Sequence, residues 1–200
     1  KVASTRAAKQ FVRGPVVISK LIVITKERKQ KDKRGQVVNK LNNMLILNLK
    51  RSGVTAAAAK MERPELPRIL DIVFSNLELM RKMRDLPGWR LRHIILDFVH
   101  AFFNFPGCES ERCYFMARLC NAIYIWLRIA QGSRGAPMIC GRALAQAMRI
   151  SCCTIKEDQI AAGTYVDDPL STFAGTDEDI DRNIGKLVGM LLAIGYDLAF

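Results

Sequence analysis

Two adjacent acids interrupt an otherwise apolar run at residues 164–175, TYVDDPLSTFAG. The apolar and β-branched residues on either side favour β-strands, and polar residues between two such runs are typical of a turn. We therefore predict a hairpin that carries Asp167 and Asp168 at its turn. Two carboxylates in an apolar setting are costly unless a cation neutralises them, so the hairpin is either an ordinary surface turn or a cation-binding site.

A third acid, Asp97, lies near the end of residues 91–98, LRHIILDF, a strongly apolar strand candidate. At the end of its own strand, Asp97 is the natural partner for the two acids of the hairpin. Three such carboxylates can hold two divalent cations about 3.5–4 Å apart, one to activate an attacking hydroxyl and one to stabilise the leaving oxygens in phosphoryl transfer. Magnesium suits oxygen ligands and keeps several waters and substrate phosphates in its shell.

The rest of the chain predicts an α+β fold with a mostly antiparallel sheet. Helices are indicated by apolar residues at helical spacing, by a proline in a first turn and by a glycine after a last turn. The expected strands are residues 16–25 and 44–49, which form a hairpin around a basic loop, then 114–119 and 123–129. The expected helices are residues 69–80, a helix opened by Pro137, and residues 180–193, which end at Gly195.

The net charge of +12 and the pI near 9.7 predict an acidic partner, and nucleic acid is the commonest one. Basic residues crowd positions 26–34, whereas the balance turns acidic beyond residue 156. The alternative for the basic run is a solvated loop tip or a targeting patch. This distribution suits a protein that binds phosphates with its basic part and cations with its acidic part.

The cysteines and apolar stretches exclude several classes of protein. The six cysteines include no C-x-x-C pair and the chain has two histidines, so a structural zinc site is not expected. Scattered cysteines with apolar neighbours predict buried thiols in a reducing compartment. No signal peptide is visible, and the longest apolar stretch, residues 187–194, is too short to span a bilayer. We expect no membrane partner and a cytoplasmic or nuclear protein that is not secreted.

Five segments together resemble the reverse transcriptase family of retroelements. They occur in the order and at the spacing of that family, and cover most of the chain. In chain order they are NLKRSGV at 48–54, LDFVHAFFNFP at 96–106, IAQGSRGAP at 129–137, YVDD at 165–168 and LLAIGYDLAF at 191–200.

The resemblance implies the fingers and palm of a right-hand polymerase, with an antiparallel palm sheet backed by helices and the thumb absent. The implied fingers comprise residues 1–72 and 105–135, and the implied palm residues 73–104 and 136–200. Because the chain starts with Lys1 and ends directly after an apolar run, we expect a fragment. The thumb and RNase H segments would then belong to a parent polyprotein.

The resemblance also implies a role for each matched residue. Asp97, Asp167 and Asp168 would be catalytic and would hold two Mg²⁺ ions, with Mn²⁺ as a possible substitute. Phe102 would be a steric gate that favours deoxynucleotides, and Tyr165 would pack beside the primer end. The other implied substrate contacts are Phe98, Gln131, Gly132 and Arg134, and the implied phosphate contacts are Lys29, Lys31, Lys33, Arg34, Lys50 and Arg51.

The implied partners are an RNA or DNA template with its primer and deoxynucleoside triphosphates. Position 100 departs from the family pattern, because it is His where many relatives have a second Asp. That departure favours an alternative in which the chain is a catalytically inactive retroelement remnant that only binds nucleic acid. A third alternative is an RRM-like module that binds RNA through its sheet, although its glycine-aromatic signature is missing.

Overall fold

The structure is a computed structural model that describes residues 5–31, 36–58 and 65–199. The chain divides into two compact units, each built from two segments. The first unit comprises Lys1–Lys60 and Phe105–Ala136, and the second comprises Met61–Asn104 and Pro137–Phe200. The first division between the units falls between residues 60 and 61, and the implied boundary of fingers and palm between residues 72 and 73 stays a prediction.

Five α-helices and seven strands are labelled here in chain order, together with two short 3₁₀ helices, Ala101–Asn104 and Glu109–Tyr114. The helices are α1 Thr5–Phe11, α2 Val54–Ala57, α3 Ile69–Met83, α4 Ala136–Cys152 and α5 Asp177–Ala193. The strands are β1 Ile18–Lys31, β2 Val37–Asn48, β3 Arg90–Ile95, β4 Met116–Leu119, β5 Ala122–Ile125, β6 Ile160–Tyr165 and β7 Asp168–Gly175.

The first unit contains a four-stranded sheet in the order β2-β1-β4-β5. β1 and β2 pair antiparallel from Lys20↔Asn48 to Lys31↔Val37, which confirms the predicted pairing. Most of the stretch expected to be a basic loop belongs to these strands, because cross-strand pairing overrides the weak β-propensity of lysine. The pairing of β1 with β4 is parallel, and that of β4 with β5 is antiparallel.

The second unit is built on a three-stranded antiparallel sheet in the order β3-β7-β6. α5 packs on the central strand β7, and α3 packs against β6 and β7. The central position of β7 explains why Phe173 and Ala174 are fully buried. The sheet and its supporting helices agree with the expected α+β class.

Helix α3 confirms the helix predicted from apolar spacing, but most of its apolar residues are not buried. Leu79 is buried and Ile72 is half-buried, whereas Ile69 and Phe74 are exposed by 76% and 66%. The periodicity therefore identified the helix correctly without identifying the face that packs on the sheet.

The thiols differ in part from the expectation that they are buried. Cys113 and Cys140 are buried, but Cys108, Cys120 and Cys153 are exposed. Exposed thiols occur where the chain turns between elements, as at Cys120, which has a φ of 52° between β4 and β5. Among the described residues, no helix combines the length and the apolar composition needed to cross a membrane.

The end of α5 determines the path of the chain that follows it. Gly195 has a φ of 93°, and its N–H donates to the Leu192 carbonyl at 3.0 Å. The Tyr196 N–H donates to the Leu191 carbonyl at 3.0 Å, which completes a Schellman motif. The prediction that Gly195 caps this helix is confirmed. The motif turns residues 196–199 away from the helix axis.

We expect Gly195→Ala to lower the free energy of unfolding by about 1 kcal/mol, because an alanine Cβ is disfavoured in the left-handed region. Gly189→Ala is the matched control. Gly189 lies inside α5 with open space around its Cβ position, so alanine should stabilise the helix by about 0.5–1 kcal/mol. Urea unfolding of both variants measures these changes in the free energy of unfolding. Changes of the same sign in the two variants would contradict this account of the helix end.

Candidate active site

Backbone pairing between β3 and β7 brings Asp97 and Asp168 to the same end of the sheet. β3 and β7 pair as far as Ile95↔Leu170, and the Leu96 N–H then donates to the Pro169 carbonyl at 3.0 Å. Asp97 follows Leu96 and Asp168 precedes Pro169, so each acid lies one residue beyond this hydrogen bond. The two carboxylates therefore lie at the same end of the sheet.

The chain after α5 fixes Asp97 from its other side. The Val99 N–H donates to the Asp197 carbonyl, and the Ala199 N–H donates to the Asp97 carbonyl, both at 2.9 Å. Phe98 pairs with Leu198 between them. The backbone at Asp97 is therefore held between β7 and residues 197–199, which leaves its position little freedom.

The ring of Phe98 belongs to the core. Its side chain is 4% exposed, and its ring centroid lies 5.2 Å from that of Tyr196, at an interplanar angle of 59°. This tilted arrangement is a favoured aromatic contact. The ring therefore packs beside Asp97, and the implied contact between Phe98 and a substrate stays a prediction.

Val166 and Asp167 form the two-residue turn between β6 and β7, whose last pair is Tyr165↔Asp168. Short hairpin turns require positive φ, which glycine or asparagine usually supplies. Here Val166 has a φ of 58°, although β-branched residues are rare in that region. Such strain is of the order of 1–3 kcal/mol and persists only where the surroundings impose it.

α4 supplies part of those surroundings. A Cβ placed on Gly141 would lie 3.6 Å from the Val166 Cα and 3.7 Å from the Val166 carbonyl oxygen. The helix backbone therefore packs directly against the turn. Cys140 is fully buried beside it, and burial followed by the charge of Asp167 raises the pKa of this thiol to about 11. The thiol is consequently neutral at physiological pH.

The carboxylates influence one another electrostatically. The pKa of Asp168 is raised, first by burial and then by the negative charges of Asp167 and Asp97. Like charges that raise a carboxyl pKa must lie close to it. The structure thus brings together the three acids that the sequence singled out.

The three acids offer the oxygen ligands that magnesium prefers, but they do not form a closed cage. Within the described ranges, no group of three or more His, Cys, Asp or Glu side chains has the arrangement of a preformed metal site. Mutual repulsion opposes such a cage, because the carboxylates carry like charge. Magnesium is commonly held by one or two carboxylates and completed by waters and substrate phosphates, and the donor set fits that mode of binding.

Two further predicted residues lie in the second unit with the acids. Phe102 is half-buried in the 3₁₀ helix that follows Asp97, and Tyr165 is 56% exposed directly before the turn. His100 is also exposed, has a φ of 52°, and has its ring centroid 6.1 Å from that of Phe103. The segment after Asp97 therefore presents aromatic rings rather than another acid.

The other predicted nucleotide contacts lie in the first unit, in the loop before α4. Gly132 has a φ of 93°, and a Cβ there would lie 3.3 Å from the Leu47 carbonyl oxygen, so the loop needs glycine to approach β2. The Arg134 guanidinium donates to the Ala58 carbonyl at 3.0 Å. Gln131 is half-buried in the same turn.

The predicted phosphate contacts are described only in part. Lys50 and Arg51 are exposed in the turn after β2, and the Arg51 N–H donates to Asn48 Oδ1 at 3.1 Å. Lys29 and Lys31 lie in β1, but the positions of their side chains are not described. Lys33 and Arg34 lie outside the described residues.

A groove that no sequence motif predicted lies beside the turn, and we call it the α4 groove. It encloses about 750 Å³ and lies within the second unit. Polar residues at positions 142, 146 and 149 of an otherwise apolar helix were the available signal, because that spacing places them on one face. The lining includes Glu65, Gly141, Arg142, Gln146, Arg149 and Val166.

No protein-family model and no curated protein sequence matches the chain. Solved structures do match it. A selenomethionine-labelled mutant of prototype foamy virus protease-reverse transcriptase has a TM-score of 0.59 and 14% identity over 96% of this chain. The native form has a TM-score of 0.57 and 14% identity over 94%. The chain has a reverse transcriptase-like fold.

A third match is the foamy viral protease-reverse transcriptase in complex with double-stranded DNA. It has a TM-score of 0.55 and 14% identity over 90% of this chain. This chain spans 21%, 20% and 27% of the three matched chains. At 14% identity the likeness concerns the fold alone, and it extends over about a fifth to a quarter of each matched chain.

We expect Asp168→Asn to raise the midpoint of thermal unfolding at pH 7 in EDTA. The folded-state pKa of Asp168 lies above the ordinary value of 3.8, so its contribution to stability is fully present below pH 3.8 and is lost as pH rises through the folded pKa. The advantage of the variant over the unmodified protein should therefore grow from pH 3 to pH 7.

Asp179→Asn is the matched control for this pH series. A hydrogen bond from Thr176 holds the pKa of Asp179 below its usual value, so Asp179 contributes stability above pH 3.8. This variant should lose stability, relative to the unmodified protein, as pH rises. The same trend in both variants would contradict the proposed repulsion at Asp168.

Proposed function

We propose that this chain carries out template-directed DNA synthesis, as the fingers and palm of a reverse transcriptase. The reaction transfers a nucleotide from a deoxynucleoside triphosphate to the 3′ hydroxyl of a primer on an RNA or DNA template. The observation that carries the proposal is that Asp97 follows the end of β3 close to the β6–β7 hairpin that carries Asp167 and Asp168, in a sheet with this fold.

The carboxylates would act by holding Mg²⁺, with Mn²⁺ as a substitute. Two bound ions supply activation of the attacking hydroxyl and neutralisation of charge on the transferred phosphoryl group. Asp97 and Asp168 approach from facing strands, and Asp167 joins them from the turn. Burial raises the pKa of Asp168, and the negative charges of Asp167 and Asp97 raise it further; such neighbouring charges favour a divalent cation.

The remaining residues would orient the substrates. Tyr165, exposed beside Asp168, would contact the primer end, and Phe102 would exclude a ribose 2′-hydroxyl. We assign the second unit to the palm and the first to the fingers. In the first unit, Gln131, Gly132 and Arg134 would lie against the nucleotide, while Lys50 and Arg51 would contact phosphates.

A catalytically inactive remnant that only binds nucleic acid is the second candidate. The observation in its favour is His100, which is exposed and presents an imidazole where a second acid would be expected. Both candidates account for the charge of +12, but only the first requires divalent cations at Asp97, Asp167 and Asp168.

We expect primer extension on an RNA template with deoxynucleotides and Mg²⁺, and loss of at least about 100-fold in rate for Asp97→Asn and Asp168→Asn. Asp181→Asn is the control, because Asp181 is an exposed acid that pairs with Arg92 on the surface. Extension should be measured beside Mg²⁺-dependent changes in the thermal midpoint. A folded protein without extension and without a Mg²⁺ response that depends on Asp97 would support the inactive remnant.

We expect Phe102→Val to admit ribonucleotides, because a smaller side chain leaves room for the 2′-hydroxyl. The ratio of kcat/KM for a deoxynucleotide to that for the matching ribonucleotide should fall by at least tenfold, or about 1.4 kcal/mol in discrimination. Phe103→Val tests a neighbouring ring of the same 3₁₀ helix. Equal discrimination in the Phe102 variant and the unmodified protein would contradict the gate.

A further inference from the structure

Helix α3 has two apolar faces. The first packs on β6 and β7 and holds Ile72, which is half-buried, and Leu79, which is buried. The second holds side chains that are between 43% and 76% exposed, and we call it the α3 stripe. Because a surface helix ordinarily has one apolar face, the second face requires its own explanation. The α3 stripe consists of Ile69, Leu70, Val73, Phe74, Leu77 and Met80.

The α3 stripe is continuous along the helix. At about 100° per residue, its positions fall within an arc of about 140°, and Ile72 and Leu79 lie outside that arc. Leu70, Phe74 and Leu77 recur at intervals of four and three residues, which is the spacing that lets one helix pack on another. Single exposed apolar residues are normal on a protein surface, whereas a contiguous stripe marks an interaction site.

The area of the α3 stripe is large enough for a stable contact between two proteins. Side chains of this size present of the order of 150–250 Å² when fully exposed, so the exposed fractions amount to roughly 600 Å² per chain. Two such stripes in contact bury roughly 1,200 Å², which reaches the range of specific interfaces and exceeds the roughly 800 Å² of chance contacts. Contact with a second copy of the chain therefore supplies the area that a dimer needs without any further surface.

The charges of α3 favour an antiparallel contact. Asp71 lies in the first turn of the helix, and Arg81 and Lys82 lie in the last turn. An antiparallel pair sets the acidic first turn of each helix beside the basic last turn of the other, and it opposes the two helix dipoles. A parallel pair instead sets like charges side by side. A two-fold axis generates the antiparallel pair from the same surface on both chains, which is the commonest symmetry of homodimers.

We propose that two copies of this chain form a dimer through the α3 stripe, with their α3 helices antiparallel about a two-fold axis close to Val73 and Phe74. These two residues lie at the middle of the stripe, so the axis brings each of them near its own counterpart. Ile69, at one end of the stripe, then lies level with Met80 of the second copy. The dimer requires neither metal nor nucleotide, and the proposal does not rest on the proposed function.

The first test is sedimentation velocity of the unmodified protein over a range of concentrations up to about 200 µM. We expect a monomer–dimer equilibrium with a Kd of about 10 µM, because small specific interfaces commonly bind in the micromolar range. The Kd should change by less than about threefold between low and high salt, because apolar contacts are not screened. A monomer at every concentration would overturn the proposal. Assemblies that grow beyond the dimer would overturn it as well, because a two-fold contact is closed.

Acidic substitutions within the α3 stripe test which surface is used. Phe74→Asp and Leu77→Asp should each weaken the dimer at least about 100-fold, because a carboxylate in an apolar contact loses its water without gaining a partner. Ile139→Asp is the matched control, since it places the same charge at an exposed apolar residue of α4, and it should leave the Kd unchanged. A folded Phe74→Asp protein that dimerises with the unmodified Kd would contradict the proposal.

The fold of each variant is checked on the monomer. Phe74, Leu77 and Ile139 are all exposed, so their replacement should change the free energy of unfolding of the monomer by no more than about 0.5 kcal/mol. Urea unfolding well below the Kd measures this change. A loss of dimer that accompanies an intact monomer therefore reports on the contact and not on folding.

Disulfide formation tests the antiparallel arrangement without placing a charge in the contact. Val73→Cys should cross-link to its own counterpart on mild oxidation, because a disulfide requires Cα atoms within about 7 Å. Ile69→Cys alone should not cross-link, because an antiparallel pair separates the two copies of this residue by about 16 Å along the helix. A mixture of Ile69→Cys and Met80→Cys chains should form the mixed disulfide. The background protein has its exposed cysteines changed to serine, at Cys108, Cys120 and Cys153.

The pattern of cross-links decides the geometry. Cross-linking of Ile69→Cys to itself, and not to Met80→Cys, would show a parallel pair and overturn the proposed arrangement. The absence of a cross-link at all of these positions, at concentrations well above the Kd, would overturn the dimer.

A lipid surface is the other occupant that the experiments distinguish. Vesicles of phosphatidylcholine with about 30% phosphatidylserine are the probe, since amphipathic helices with basic residues bind anionic lipids. Binding to these vesicles that is lost in Phe74→Asp, in a protein that stays monomeric in solution, would assign the α3 stripe to a membrane and overturn the proposal. Asp97→Asn should leave the Kd of the dimer unchanged, so the dimer and primer extension succeed or fail separately.

Discussion

Backbone pairing in the second unit holds three negative charges at one end of a sheet against their mutual repulsion. The hydrogen bond from the Leu96 N–H to the Pro169 carbonyl continues the β3–β7 register up to the acids. A second set, between residues 97–99 and 197–199, closes the other side of Asp97. Because backbone bonds fix Cα positions, the carboxylates stay near one another, and their charges add to the effect of burial in raising the pKa of Asp168.

The turn adds conformational strain to this electrostatic strain. Val166 adopts a φ of 58° that glycine would adopt freely, and the backbone of α4 packs on it at Gly141. Because Gly141 has no side chain, the backbone of α4 lies directly against Val166 and resists relaxation of the turn. Strained residues of this kind concentrate at functional sites, where the surrounding structure determines the backbone. Here the strained residue, Val166, directly precedes Asp167. The same turn conformation therefore strains Val166 and positions the carboxylate of Asp167.

The sequence predicted the elements better than it predicted their surroundings. Apolar periodicity identified α3, polar residues between two β-favouring runs identified the YVDD hairpin, and a glycine identified the end of α5 at Gly195, since these depend on local conformational preferences. It did not reveal that Ile69 and Phe74 are exposed, because the choice of packing face depends on partners distant in sequence. It also ended the β1–β2 ribbon too early, because pairing between strands extends them through residues of low β-propensity.

In the candidate site, too, local features were predictable from the sequence, whereas features that depend on the fold were not. The three acids were predictable because adjacent carboxylates in an apolar run are unusual in themselves. The contact of Phe98 with a substrate stays a prediction, since the motif gives the position of a residue but not the direction of its side chain. The α4 groove went unnoticed because its helix reads as an ordinary amphipathic one, and Glu65, Thr164 and Val166 join it only through the fold.

An open arrangement of acids would suit the proposed polymerase, which must release its product at every step. A closed cage would hold divalent ions whether or not substrate were present, whereas ions held by one or two carboxylates depend on substrate phosphates for the rest of their shell. The repulsion at Asp168 then has a direct consequence for binding. Under the proposed function, the free energy that the acids lose in each other's field would be recovered when cation and phosphate bind together, so the second unit would favour the complete assembly of ions and substrate over either component alone.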